Sequence, residues 1–222
     1  MSSAGQLTFD LGHRPALGRE DFMVGPGNSD AVAWIDNWPD WPGPALVVHG
    51  PPGCGKSHLA CVWRSRAAAG IIATADALEA ALRRQSPHAC FVIEQDAAAS
   101  EDVGLFHLYN RLAENGGHML LISHEPPARW TGRLPDLMSR LKSAPTAAIA
   151  APDDAMIEVV LIKLFADRQL RVGPEIITYS VARMERSFNA ARRLVAAADD
   201  ASLTHARAIT VPLIREILGI KA

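Results

Sequence analysis

The chain has no surplus of basic residues, no paired cysteines and no long apolar run, and each absence closes off a class of function. Its 22 lysines and arginines stand against 24 acidic residues, a formal net charge of −2. That balance leaves no basic surface of the kind that grips a phosphodiester backbone. The three cysteines, Cys54, Cys61 and Cys90, are odd in number and form no CxxC spacing. They read as reduced thiols of a cytoplasmic protein, not as a disulfide framework. The histidines show no metal-ligand spacing. No apolar stretch reaches the ~18 residues of a bilayer span, and the N-terminus has neither the basic nor the apolar region of a secretory signal.

What is present is ordinary core-forming material. With 49 % hydrophobic residues in 222, the chain can bury a sizeable core and is not expected to be disordered. Short apolar runs at residues 45–50, 70–75, 89–94, 118–123 and 146–150 read as strands. Helical patterns fall between them: a short one around Ala31 to Trp38, one from Lys56 to Ala69, one capped by Asp76 and ending near Arg84, one over 101–115 with Leu105, Leu108 and Leu112 on a shared face, and one around Leu134 to Lys142. Strands alternating with helices predict an α/β fold with a five-stranded parallel sheet flanked by helices. After Pro152 no strand pattern remains. Four helical segments follow, one opening on acidic residues and one with Pro174 at its first position. The expected division is a terminal peptide and linker over 1–20, an α/β domain over 21–151 and a small all-α lobe over 152–222.

The terminal stretch "QLTFDL" alternates strictly, with Leu7, Phe9 and Leu11 apolar and Gln6, Thr8 and Asp10 polar. Alternation of this length fits a half-buried strand of the chain's own sheet. It fits equally an extended tether that binds another protein through backbone hydrogen bonds and alternate side-chain pockets. The pattern alone leaves both open.

"GPPGCGKS" satisfies GxxxxGK[ST] across Gly50, Pro51, Pro52, Gly53, Cys54, Gly55, Lys56 and Ser57, after a strand and before a helix. Glycines let backbone N–H groups curl around a phosphate, and the helix N-terminus favours its charge. Lys56 is expected to reach the β/γ-phosphates, and the Ser57 hydroxyl to ligate Mg²⁺. The third strand should end on two acidic residues, one for the metal and one to orient water. Here it ends "FVIEQD". Glu94 stands at the metal position and uncharged Gln95 at the catalytic one. Asp96, one residue on, would face the other side of a strand. Binding of ADP or ATP with weak intrinsic turnover is the expectation.

"GPPGCGKSHLA", "LLISHEPP", "LPDLMSRL" and the closing "RAITVPLIREIL" together resemble the DnaA-like AAA+ P-loop ATPases, and most closely the Hda family of regulatory inactivators of the replication initiator DnaA. The resemblance covers nearly the whole chain. It implies an AAA+ module followed by a helical lid. It makes Arg140 of "LPDLMSRL" an arginine finger acting in trans, Arg186 the lid's sensor 2 arginine and His124 the sensor 1 position. It also places "DFMVGPGN", and with it Val24, against the adenine. The family's short QLxLxL peptide binds the β sliding clamp of the replicative polymerase, which makes Gln6, Leu7, Phe9 and Leu11 clamp contacts and settles the expectation for the hexapeptide on a tether. DnaA, the clamp and a homo-oligomeric contact are the implied partners. The chain ends at Ala222 with no DNA-binding domain in view, so sequence-specific DNA reading is not expected. The implied function is negative regulation of replication initiation by promoting hydrolysis of DnaA-bound ATP. A self-sufficient AAA+ ATPase, such as a helicase loader, is the alternative that the intact phosphate loop leaves open.

Overall fold

Five short strands are stacked side by side, all parallel, in the order β2-β3-β4-β1-β5. The computed structural model describes residues 22–83, 86–94, 101–205 and 208–220. Among these the chain runs α1 (Ser29–Asp36), β1 (Ala45–His49), α2 (Lys56–Ala67), β2 (Gly70–Ile72), α3 (Ala75–Arg83), β3 (Cys90–Glu94), α4 (Asp102–Asn115), β4 (His118–Ser123), α5 (Pro135–Ser143) and β5 (Thr146–Ala148). The helices α6 (Asp154–Asp167), α7 (Pro174–Val181), α8 (Phe188–His205) and α9 (Val211–Ile217) complete it. The hexapeptide, Gln95 and Asp96 lie outside the described residues.

The apolar runs are continuous because the sheet is covered on both faces. Alternate residues of each strand then enter opposite cores. Leu46, Val48, Val92, Leu120 and Ile122 pack with α1 and with Leu59 and Trp63 of α2. Val47, Phe91, Ile93, Met119 and Leu121 pack on the other side with Leu78, Leu105, Leu108 and Leu112, and with Leu137 and Leu141 of α5. A third cluster, built on Ile157, Leu161, Phe165, Ile177, Val195 and Ile214, belongs to the helices after β5.

Most element boundaries expected from sequence fall within one residue of those observed, and a few move by two or three. β2 stops at Ile72 and β5 at Ala148. α2 ends at Ala67, where Ala68 turns to φ +47°. One expectation needs correcting. Asp76 does not cap α3: it sits in the first turn, and the Thr74 hydroxyl accepts the Ala77 N–H at 3.2 Å. Thr and Asp are both good N-caps, and a two-residue difference decides which side chain reaches the free amide.

Candidate nucleotide-binding site

β1 delivers the chain into a loop whose shape depends on glycine. Gly50, Gly53 and Gly55 have φ of +156°, +72° and +106°. A Cβ on Gly50 would come within 2.1 Å of the Ile149 carbonyl oxygen, so side-chain-free backbone is a steric requirement there. The loop closes on Lys56, the first residue of α2. Its ammonium donates to the carbonyls of Gly50 at 2.6 Å and Pro51 at 2.8 Å and lies 3.8 Å from Cys54 Sγ. The lysine is 8 % exposed, which sets its charge inside the concavity. The first backbone N–H groups of α2 have no intrahelical acceptor. A positive charge, free amides and the positive end of a helix dipole converge, and that combination fits a polyphosphate. Ser57 follows on the exposed side of the first turn.

The neighbouring strand ends are level with this loop. Ser123 pairs with His49, and its carbonyl accepts the Gly50 N–H at 3.3 Å. Its hydroxyl donates to the Glu125 carbonyl at 2.7 Å, and His124 next to it is exposed. Glu94 is register-paired with Ile122, which pairs with Val48. The Glu94 backbone thus lies two strand spacings from β1, roughly 9–10 Å. Its side chain is exposed at the end of the strand, with β4 between it and β1. His49 stays neutral more readily than a free histidine, because burial and the nearby Lys56 and Arg129 charges all lower its pKa.

Beside the loop lies a cleft of about 220 Å³ lined by, among others, Pro26, Asn28, Cys54, Pro152, Met156 and Phe188. Four segments distant in sequence line it, the phosphate loop among them through Cys54. Asn28 is buried; its side chain accepts from Gly25 N–H and donates to the Met23 carbonyl, each at 2.9 Å. Gly27 then accepts the Ala150 N–H at 2.9 Å, tying the loop to the segment after β5. The lid supplies the remaining wall: the Phe188 N–H donates to the Gly53 carbonyl at 3.0 Å, and its ring packs near Gly55. An apolar slot next to a phosphate-binding loop fits a nucleobase. Val24 is half exposed and is not part of this lining.

The lid residues nearest the phosphate loop are Ser187, Phe188 and Asn189. Arg186 instead makes a two-pronged pair with Asp154, at 2.7 and 3.1 Å, in solvent. Hydrogen bonding from Arg186 holds the Asp154 carboxyl below its usual range. Arg140 belongs to α5, on the sheet face opposite α2, and is exposed. It is not brought to the chain's own phosphate loop. Gly25 to Asn28, the end of the "DFMVGPGN" segment, line the cleft as the resemblance implied, whereas Met156 and Phe188 were not foreseen from sequence. Neither of the latter two carried a local signal.

A phosphate loop after β1, a parallel sheet with β4 inserted between β1 and β3, and a following helical lobe define an AAA+ P-loop fold. Domain III of Thermotoga maritima DnaA shares it with a TM-score of 0.78 and 18 % identity, over 92 % of this chain and 96 % of that one. AMPPCP-bound DnaA from Aquifex aeolicus gives 0.65 and 19 %, over 82 % and 64 %. An uncharacterized Haemophilus influenzae protein is 25 % identical over 194 residues, 80 % of this chain and 82 % of that one. Residues 154–218 match the family model described as "Hda, lid domain". The segment after β5 therefore resembles an Hda-type lid, and the chain as a whole shares the AAA+ fold of DnaA domain III. Among the described residues no helix is long and apolar enough to cross a membrane, and no cluster of His, Cys, Asp or Glu has the form of a metal centre.

Proposed function

We propose that the protein is a cytoplasmic, clamp-tethered regulator that binds adenine nucleotide itself and accelerates hydrolysis of ATP bound to DnaA. The observation that carries the reading is the separation of two charges. Lys56 is enclosed within the chain's own phosphate loop, whereas Arg140 is exposed on the other side of the sheet. A guanidinium displayed away from its own site suits phosphoryl-transfer chemistry in a neighbour's site, where an in-trans arginine contributes ~10³–10⁵ in rate.

The division of labour follows. A sheet module over 21–151 would hold the nucleotide and a lid over 152–222 would close on it. Lys56 would neutralise the β/γ-phosphates, Ser57 would ligate Mg²⁺ and Glu94 would hold the metal's water. The cleft beside Cys54 would take the base, in keeping with the AMPPCP-bound relative. Arg186 would reach the nucleotide only by leaving Asp154, and His124 would stand at the sensor 1 position. Gln95 carries no charge with which to activate water, so the nucleotide serves chiefly to fix the lid against the loop. Gln6, Leu7, Phe9 and Leu11 would anchor the protein on the sliding clamp. There Arg140 would meet DnaA, in an arrangement that a second copy of this chain can also enter. Removing γ-phosphate charge from DnaA would convert the initiator to its ADP form.

The test is turnover of DnaA-bound ATP with and without clamp loaded on DNA, using full-length and hexapeptide-deleted protein. Stimulation that needs both clamp and hexapeptide supports the proposal. Rapid ATP turnover by the protein alone would favour the self-sufficient ATPase reading instead.

A further inference from the structure

Arg140 is held by two aromatic rings. Its guanidinium carbon lies 5.3 Å from the ring centroid of Phe106 and 5.5 Å from that of Tyr109, both on α4. Among the described residues no carboxylate pairs with it. Most of the other arginines with described contacts are tied through their N–H edges. Arg66 donates to the carbonyls of Ile35, Asp36 and Trp38, and Arg111 to those of Ala81 and Leu82. Arg133 pairs with Asp102. A cation held over ring faces needs no hydrogen-bond acceptor there, so its N–H donors are left for another group.

The rings belong to a stripe. Asp102, Phe106 and Tyr109 are spaced i, i+4, i+7 and share one face of α4. At the stripe's start the Asp102 carboxylate accepts from Arg133 Nε and from the Leu134 N–H, both at 2.6 Å. Leu134 is the residue before Pro135 opens α5. From Leu134 to Arg140, α5 rises ~9 Å, and from Asp102 to the two rings α4 rises about 6–10 Å. The two helices thus run alongside each other, fastened at two matched levels: a carboxylate at the base and a pair of rings under the arginine.

We propose that Phe106 and Tyr109 are positioning residues that fix the attitude of the Arg140 guanidinium toward a phosphoryl group in a partner's nucleotide site. This rests on the reading of Arg140 given above. A flexible arginine must be ordered at the moment of reaction; one held over two rings has less freedom to lose, and misplacement of a reacting group by ~1 Å can cost 10²-fold.

The experiment uses the full chain with DnaA–ATP and clamp loaded on DNA, under single turnover. Phe106→Leu keeps the apolar volume and removes a ring. It should lower the maximal stimulated rate by about 10-fold, leave the half-saturating concentration unchanged and leave the melting temperature near wild type. Phe106→Tyr should restore the rate, and Tyr109→Phe, which keeps its ring, should be neutral. If Arg140→Ala abolishes stimulation while Phe106→Leu stimulates like wild type, the positioning role is overturned. A second readout needs no partner. In the isolated protein the Arg140 side-chain resonances should show a ring-current shift that Phe106→Leu reduces. If Arg140→Ala stimulates like wild type, the trans-finger reading fails. A wild-type spectrum without that shift overturns the ring contact itself.

Discussion

Replacing Gly53 with alanine sets a methyl group where the lid meets the phosphate loop. Two costs follow from the structure. Gly53 has φ +72°, a left-handed conformation that penalises a residue with a Cβ by roughly 1–2 kcal/mol. The new Cβ would also lie 2.6 Å from Ser187 Cβ, where carbons prefer ~3.5–4.0 Å. Overpacking of this kind costs ~1–3 kcal/mol, so a total of ~2–5 kcal/mol is expected. Ser187 can be removed almost harmlessly. Its hydroxyl accepts the Ala190 N–H at 3.1 Å as the cap of α8, and a cap changed to glycine loses only a few tenths of a kcal/mol, by the usual order of magnitude. Ser187→Gly should therefore recover the steric share of the Gly53→Ala loss and leave the backbone share. Denaturant midpoints of the four proteins give the coupling, expected at about 1–3 kcal/mol. Additivity within ~0.3–0.5 kcal/mol, the level for independent sites, would refute the contact between lid and loop.

Other outcomes follow from the same geometry. Lys56→Ala should abolish stabilisation by ADP, which for the wild type is ~2.7 kcal/mol at a hundredfold excess over Kd; thermal shift with and without ADP reads it. Burial and the charges of Lys56 and Arg129 lower the His49 pKa, and burial, aided by His88 and opposed by a Pro39 hydrogen bond, lowers that of His118. The unfolded chain then takes up protons first, so stability should fall as pH drops below ~6.5. His49→Gln combined with His118→Gln should flatten that slope in denaturation at graded pH. Burial would raise the Asp102 carboxyl, but Arg133 and the Leu134 N–H outweigh it and depress its pKa. Its contribution should persist above ~4 and fade in more acid solution, a loss that Asp102→Asn removes from the same titration. Leu7→Ala with Phe9→Ala removes two anchors of ~1.5–3 kcal/mol each: clamp pull-down should fail while the melting temperature stays put, and an unfolded double variant would mean the hexapeptide is a structural strand.

The phosphate loop was legible because all its determinants are local: a buried strand, glycines at fixed spacing and a helix start. The parallel sheet was legible too, since two-sided burial writes continuous apolar runs such as "ALVVH" and "HMLLIS". Of the cleft beside Cys54 only the "DFMVGPGN" wall was legible, and that through family resemblance. The walls come from residues near 26, 54, 152 and 188, and nothing in any one segment signals the others. Arg186 was chosen for its place in a motif, but its partner Asp154 is distant in sequence, and such a pair is decided by tertiary packing. Arg140 was visible only through family resemblance. Its rings on α4 became visible when α4 and α5 were placed side by side, because a phenylalanine at helical spacing reads as core.

The central claim is that Arg140 acts in a neighbour's site. Its most direct measurement is single-turnover conversion of labelled DnaA–ATP, in the presence of clamp loaded on DNA, by wild-type, Arg140→Ala and Arg140→Lys proteins. With folding, ADP binding and clamp binding intact, the alanine protein should fall toward the DnaA-alone rate, by ~10²-fold or more. Lysine should rescue poorly, because a point charge lacks the planar fork. An Arg140→Ala protein that stimulates as well as wild type would contradict the account.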